Sequence, residues 1–185
     1  MNPSPLLPFI PECTRRIALN EGRKLQRYRD SLGIWSLGIG FNLERGDAAA
    51  MLRACGINYA DVMADGLITP AQADALFARA FAPIQDAARA SLAHGVYDAL
   101  TDARRFVILD LEYNLGQRGW LGFDTTRALL NEAQAHKNAG RMPIAHALFN
   151  LAGDHLHASA WNGQVGDRAT RDIQMIRTGS WVPAS

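Results

Sequence analysis

Apolar and polar positions along this chain divide it into a short helix, a glycine-punctuated hairpin and a long succession of helices. Residues 14–21 (TRRIALNE) put Ile17 on the apolar side of a short helix, and Gly22 supplies a left-handed stop. Residues 25–28 read as extended, residues 29–33 (RDSLG) as a turn, and residues 34–41 (IWSLGIGF) alternate with the two-residue period of a strand. That alternation predicts Trp35, Leu37, Ile39 and Phe41 on a packed face, with Ser36, Gly38 and Gly40 on the other.

Beyond the hairpin the period changes to that of helices. Asp47 is placed to cap a helix over residues 47–54, closed by Gly56, and residues 57–67 (INYADVMADGL) read as loop. Thr69 and Pro70 form a cap and first-turn proline, after which Ala73, Leu76, Phe77, Ala80, Phe81 and Ile84 recur at helical spacing. Pro83 predicts a kink or break about one turn before it. Phe106, Val107, Leu109, Leu111 and Tyr113 make a segment apolar on most sides, as a buried central helix requires, with Gly116 and Gly119 ending it. Further helices are predicted over residues 124–139, 143–151, 155–160 and 168–177.

With 185 residues, 48% apolar and 20% charged, the chain is long enough for a globular core in one unit or two small lobes. A net charge of +1 signals neither nucleic-acid binding nor strong adsorption to an anionic surface. Residues 1–12 hold four prolines and no lysine or arginine, which argues against a secretory signal; the segment is expected to lie extended on the surface. No window approaches the roughly 20 apolar residues of a membrane span. Cys13 and Cys55 fit no metal motif and are expected to be reduced, a disulfide being the minor alternative. His155 and His157, two apart, do not share a helix face, so the histidines suggest no metal centre. Trp120, Trp161 and Trp181 are expected to pack in the core.

The hairpin region carries the candidate chemistry. Glu21 would close the first helix, where the negative end of the macrodipole disfavours a carboxylate by about 0.3–1 kcal/mol, so an acid there hints at a role as proton donor. Asp30, in the turn, would face water as a carboxylate. Ser36 sits on a strand face stripped by Gly38 and Gly40, which a ligand can approach closely. A proton-bearing acid beside an ionised one is the division of labour that glycoside hydrolysis needs.

These residues also form a pattern. Glu21, Gly22, Leu25, Tyr28, Asp30, Gly33, Ser36, Gly38 and Gly40 stand at the spacings that mark the phage T4 type lysozymes, and the chain resembles that family, with serine at 36 in place of the usual threonine. Residues 96–123 resemble the family's buried central helix and following turn, and residues 159–181 its C-terminal helix and RTGTW ending. Residues 136–157 fit less well and carry a few extra positions.

The resemblance implies an α+β, mainly helical fold: a small lobe at residues 13–68 with a β-hairpin sheet, a connecting helix at 70–91, and a helical lobe at 92–181 packed with the N-terminal helix. It implies an endolysin or muramidase cleaving the β-1,4 bond between N-acetylmuramic acid and N-acetylglucosamine in peptidoglycan, with inversion. Glu21 would be the general acid, and Asp30 with Ser36 would position the water. Asn42, Tyr113, Thr126 and Asn150 would contact saccharide, and Arg168 would orient Glu21 as a salt-bridge partner. No cofactor or metal is called for, and no nucleic acid or membrane insertion. A monomer is expected, made in the bacterial cytoplasm and reaching the wall through a holin. Two other readings stay open: an inactive wall-binding or virion structural domain, and a lytic transglycosylase or chitinase on the same scaffold.

Overall fold

A computed structural model describes residues 9–30 and 33–183, and the chain divides into two compact units, Met1–Ala82 and Pro83–Ser185. In the first unit, helix α1 (Phe9–Glu21) starts earlier than the sequence suggests. Pro11 falls in its first turn, where no backbone N–H is needed, so residues 9–12 are helical rather than extended; residues 1–8 lie outside the described residues. Glu12, also in that turn, accepts from Arg15 and Arg16 at 2.6–2.8 Å and staples the helix start. The Arg15 bond holds its carboxyl below the usual range, against a desolvation that raises it.

Strands β1 (Lys24–Arg29), β2 (Trp35–Gly38) and β3 (Phe41–Asn42) form an antiparallel sheet in the order β1-β2-β3. The predicted strand over 34–41 does not run through. Gly38 and Gly40 adopt φ of +66° and +69°, and the chain reverses so that Leu37 pairs with Phe41 and Ser36 with Asn42. Leu37 and Phe41 thereby share the buried face, packed with Leu43, Leu52, Ile57, Ile68 and Leu76.

Helix α2 (Ala48–Ala54) follows Asp47, whose carboxylate binds Arg45 instead of capping the helix. The stretch read as loop contains helix α3 (Tyr59–Met63), which the Asn58 side chain caps by accepting from Ala60 N–H at 2.9 Å. Helix α4 (Pro70–Ala90) opens with a reciprocal capping box: Thr69 Oγ1 accepts from Gln72 N–H at 3.1 Å, and Gln72 Oε1 accepts from Thr69 N–H at 2.9 Å. Pro83 does not end this helix, although the division between the units falls at that residue.

The second unit is all helical, with α5 (Val96–Ala99), α6 (Asp102–Leu121), α7 (Asp124–Asn138), α8 (Met142–His157), α9 (Ala160–Val165) and α10 (Asp167–Thr178). The predicted central helix is α6, buried from Phe106 through Glu112. Gly116, at φ +69°, ψ 165°, leaves the helical conformation and ends the central helix as the sequence predicts, and a second helical stretch continues past Gly119 to Leu121. Helix α8 runs on through His157, merging two segments that the sequence separates. Trp120, Trp161 and Trp181 pack inward as expected: Trp120 donates Nε1–H to Ser91 Oγ at 2.8 Å, Trp161 to Asn114 Oδ1 at 3.2 Å, and Trp181 lies 5.5 Å from the Phe106 ring. Cys13 and Cys55 are not joined by a disulfide. Among the described residues, no helix is long and apolar enough to cross a membrane, and no cluster of histidine, cysteine or acid could hold a metal.

Arg104 on α6 fastens the end of α10. It is 4% exposed, donates Nε–H to Ile176 O at 2.8 Å and Nη2–H to Arg177 O at 3.0 Å, and lies 3.4 Å from the Phe149 ring centroid. Burial brings its pKa down to about 10. Those two carbonyls belong to the last turn of α10, where helix geometry supplies no partner. Replacing Arg104 with Met keeps the aliphatic stem and strands both acceptors; a loss of about 2–4 kcal/mol in urea unfolding is expected, and a change within error would show that water satisfies them.

Candidate active site

Glu21 is the last residue of α1 and is exposed; Gly22, at φ +79°, donates its N–H to Ala18 O at 2.9 Å and closes the helix, as the sequence predicts. The chain then enters β1 while Arg23 pairs with Asp74 at 2.5 Å. Asp30 follows β1. Its backbone N–H donates to Ile34 O at 3.0 Å and its carbonyl accepts from Gly33 N–H at 3.0 Å, which closes the turn; residues 31 and 32 lie outside the described residues.

The Asp30 carboxylate is half-buried instead of facing open water, and it has two local anchors. Oδ1 accepts from Ile34 N–H at 2.9 Å, and Oδ2 accepts from the Ser36 hydroxyl over a longer 3.4 Å. Ser36, expected on an approachable face, is 2% exposed. The reason is its place in the middle strand, flanked by Tyr28 on β1 and Asn42 on β3. Directly paired residues share a face, so Tyr28, Ser36 and Asn42 form one row across the sheet. Asn42 is exposed, and its Oδ1 accepts from Glu44 N–H at 2.7 Å.

Tyr28 is the member of this row that sequence reasoning did not single out as a site residue. Burial pushes its phenol above the ordinary range, the charges of Asp30 and then Glu21 raise it further, and a hydrogen bond with the Gly40 backbone opposes them. One phenol thus senses both acids. The signal was its place two residues before Asp30 within the spaced pattern.

The same sheet stacks cations on an aromatic ring. The guanidinium carbons of Arg27 and Arg29 each lie 4.2 Å from the Trp35 ring centroid, while Arg27 pairs with Asp65 at 2.7 Å and Arg29 with Glu44 at 3.3 Å. Those partners, with Trp35 N–H donating to Glu44 Oε1 at 3.1 Å, brace the hairpin beside the Asp30 turn.

The remaining candidates lie in the helical unit. Thr126 is 2% exposed and lines a pocket of about 440 Å³ with Gly122, Phe123, Asp124, Thr125, His155 and Ser159. Tyr113 is half-buried and Asn150 exposed, and neither lines that pocket. His155 and Ser159 were not singled out from sequence as companions of Thr126; they come from the end of α8 and the turn after it, where the pattern was least regular. Arg168, in the first turn of α10, grips Asp110 with a fork, Nε to Oδ2 at 2.6 Å and Nη2 to Oδ1 at 2.9 Å.

A small antiparallel sheet carrying a hydroxyl and a phenol, with one acid at the helix end before it and another in its first turn, within a mainly helical α+β protein, defines a lysozyme-like class. The family model described as phage lysozyme matches residues 18–158, more than half of the chain, and this protein belongs to that family. The chain is also similar to a probable T4-type lysozyme 1 of Dictyostelium discoideum, 24% identical over 168 residues that cover 87% of this chain and 91% of that relative. The family match spans Glu21, Asp30 and Ser36 and stops before α9 and α10.

Proposed function

We propose that the protein is a muramidase that hydrolyses the β-1,4 bond between N-acetylmuramic acid and N-acetylglucosamine in peptidoglycan, with no cofactor. Membership of the phage lysozyme family supports a lysozyme-type glycoside hydrolase acting on peptidoglycan. The observation that carries the finer reading is that the Asp30 carboxylate accepts from the Ser36 hydroxyl, which stands in one row with Tyr28 and Asn42 across the sheet.

Glu21 donates a proton to the leaving glycosidic oxygen. Asp30 takes the proton of a water that attacks the anomeric carbon from the opposite face, and the Ser36 hydroxyl orients that carboxylate. Serine supplies the same hydroxyl as threonine without the methyl that narrows its rotamers. Asn42, Tyr113, Thr126 and Asn150 contribute saccharide contacts, and Arg168 is a supporting residue held by its fork to Asp110. The enzyme works as a monomer on the wall, which it reaches from the cytoplasm through a holin.

Digestion of purified peptidoglycan followed by mass spectrometry of the products tests this reading. Fragments ending in a reducing N-acetylmuramic acid are expected. Anhydro ends would assign a lytic transglycosylase instead, and binding without any cleavage would assign a wall-binding domain.

A further inference from the structure

The core of the helical unit contains a second pair of acids. Asp110 on α6 is 0% exposed and Asp172 on α10 is 2% exposed, and Arg168, which grips Asp110, precedes Asp172 by one turn on the same face of α10. Two buried carboxylates beside one guanidinium repel one another, so one of them favours its protonated form. The cation gripping this pair is Arg168, and both arms of its fork go to Asp110. Asp172 Oδ2 is buried without a hydrogen-bond partner, a cost that is far smaller for a neutral carboxyl oxygen than for a carboxylate.

We propose that Asp110 and Asp172 hold one proton between them, which makes the docking of α10 on α6 a proton-linked latch that fastens as the surroundings become more acidic. The charges acting on Asp172 are Asp110 from α6 and Arg168 and Arg171 from its own helix. On α8, which packs against α10, His146, Asp154, His155 and His157 are all exposed, and Asp154 is taken up by Arg177 at 2.5 Å. Helix α9 (AWNGQV) carries no ionisable side chain. Glu112, two positions from Asp110 along α6, projects from the opposite side of that helix, and Arg104 is committed to the α10 carbonyls. Arg168 therefore neutralises Asp110, and the proton neutralises Asp172.

The direction follows from the environment. Burial pushes the Asp172 carboxyl well above the usual carboxylate range, the Asp110 charge pushes it further, and Arg168 and Arg171 pull it back. The folded chain then keeps a proton that the unfolded chain releases above its ordinary value of 3.8. The contribution is fully present below that value and is lost as pH rises toward the folded one, by up to about tenfold in the folding constant per pH unit within the window.

Proton uptake and release on urea unfolding tests the latch. At neutral pH the wild-type chain is expected to release about one proton more than Asp172→Asn, in which an amide donates to Asp110 and nothing titrates. The variant should also lose the wild-type decline of folding constant with rising pH. Equal proton release by the two proteins would overturn the proposal. Should the variant not fold, carbon NMR of wild-type protein labelled at the aspartate carboxyls decides: one carboxyl in the protonated position at neutral pH is expected, and none there rejects the latch.

Discussion

Glu21→Gln is expected to leave a folded protein that still binds peptidoglycan and has lost its lytic activity by about 10²- to 10⁴-fold, the span that a single general acid contributes. The variant isolates the proton because glutamine matches glutamate in shape, and the side chain is exposed at the end of α1, outside the core. Stability should not fall. Removing a negative charge from the C-terminal end of a helix is favourable by about 0.3–1 kcal/mol at low ionic strength, so the unfolding midpoint should stay put or rise slightly. Thermal unfolding and turbidity clearing of cell walls, measured side by side, separate loss of chemistry from loss of fold. Undiminished clearing would remove Glu21 from the mechanism.

Asp30→Asn should be as damaging to activity and nearly silent in the fold. The turn needs an acceptor for Ile34 N–H, 2.9 Å from Oδ1, and an amide oxygen supplies one. The other arm becomes an NH2 group facing the Ser36 hydroxyl, which can accept as readily as it donates. What disappears is the negative charge that takes a proton from water, and a drop of about 10²- to 10⁴-fold is expected for a lost general base. Asp30→Ala differs in a useful way: it also releases Ile34 N–H and should lower the unfolding midpoint. If Asp30→Asn keeps its rate while Asp30→Ala loses it, Asp30 is a turn anchor and another group activates the water.

The sequence made the helix stop at Glu21, the turn at Asp30 and the helix start at Thr69 legible because each depends on residues within four positions of one another. The strand break at Gly38 was misread. Alternation of apolar side chains gives the same pattern for a straight strand and for a hairpin whose partners fall on the same face, as Leu37 and Phe41 do. The short helix at 59–63 lies in a stretch that reads as loop, because it spans only five residues and its start signal is the Asn58 side chain alone. Burial of Ser36 depends on two flanking strands, and the Asp110–Asp172 pair on residues 62 positions apart, so neither could be seen in a local window. The site followed the same division: the spaced acids stood out, whereas Tyr28 acquired meaning only when the sheet set it in one row with Ser36 and Asn42.

The four tryptophans are shared unequally between the two units, with Trp35 in the first and Trp120, Trp161 and Trp181 in the second. Trp35 lies against two guanidinium groups, whereas Trp120 is wholly buried near Phe123 and bonded to a serine hydroxyl. Indole emission depends on just such surroundings, so the chain carries a separate optical reporter for each half, and a Trp35→Phe background would leave only the signal of the helical half.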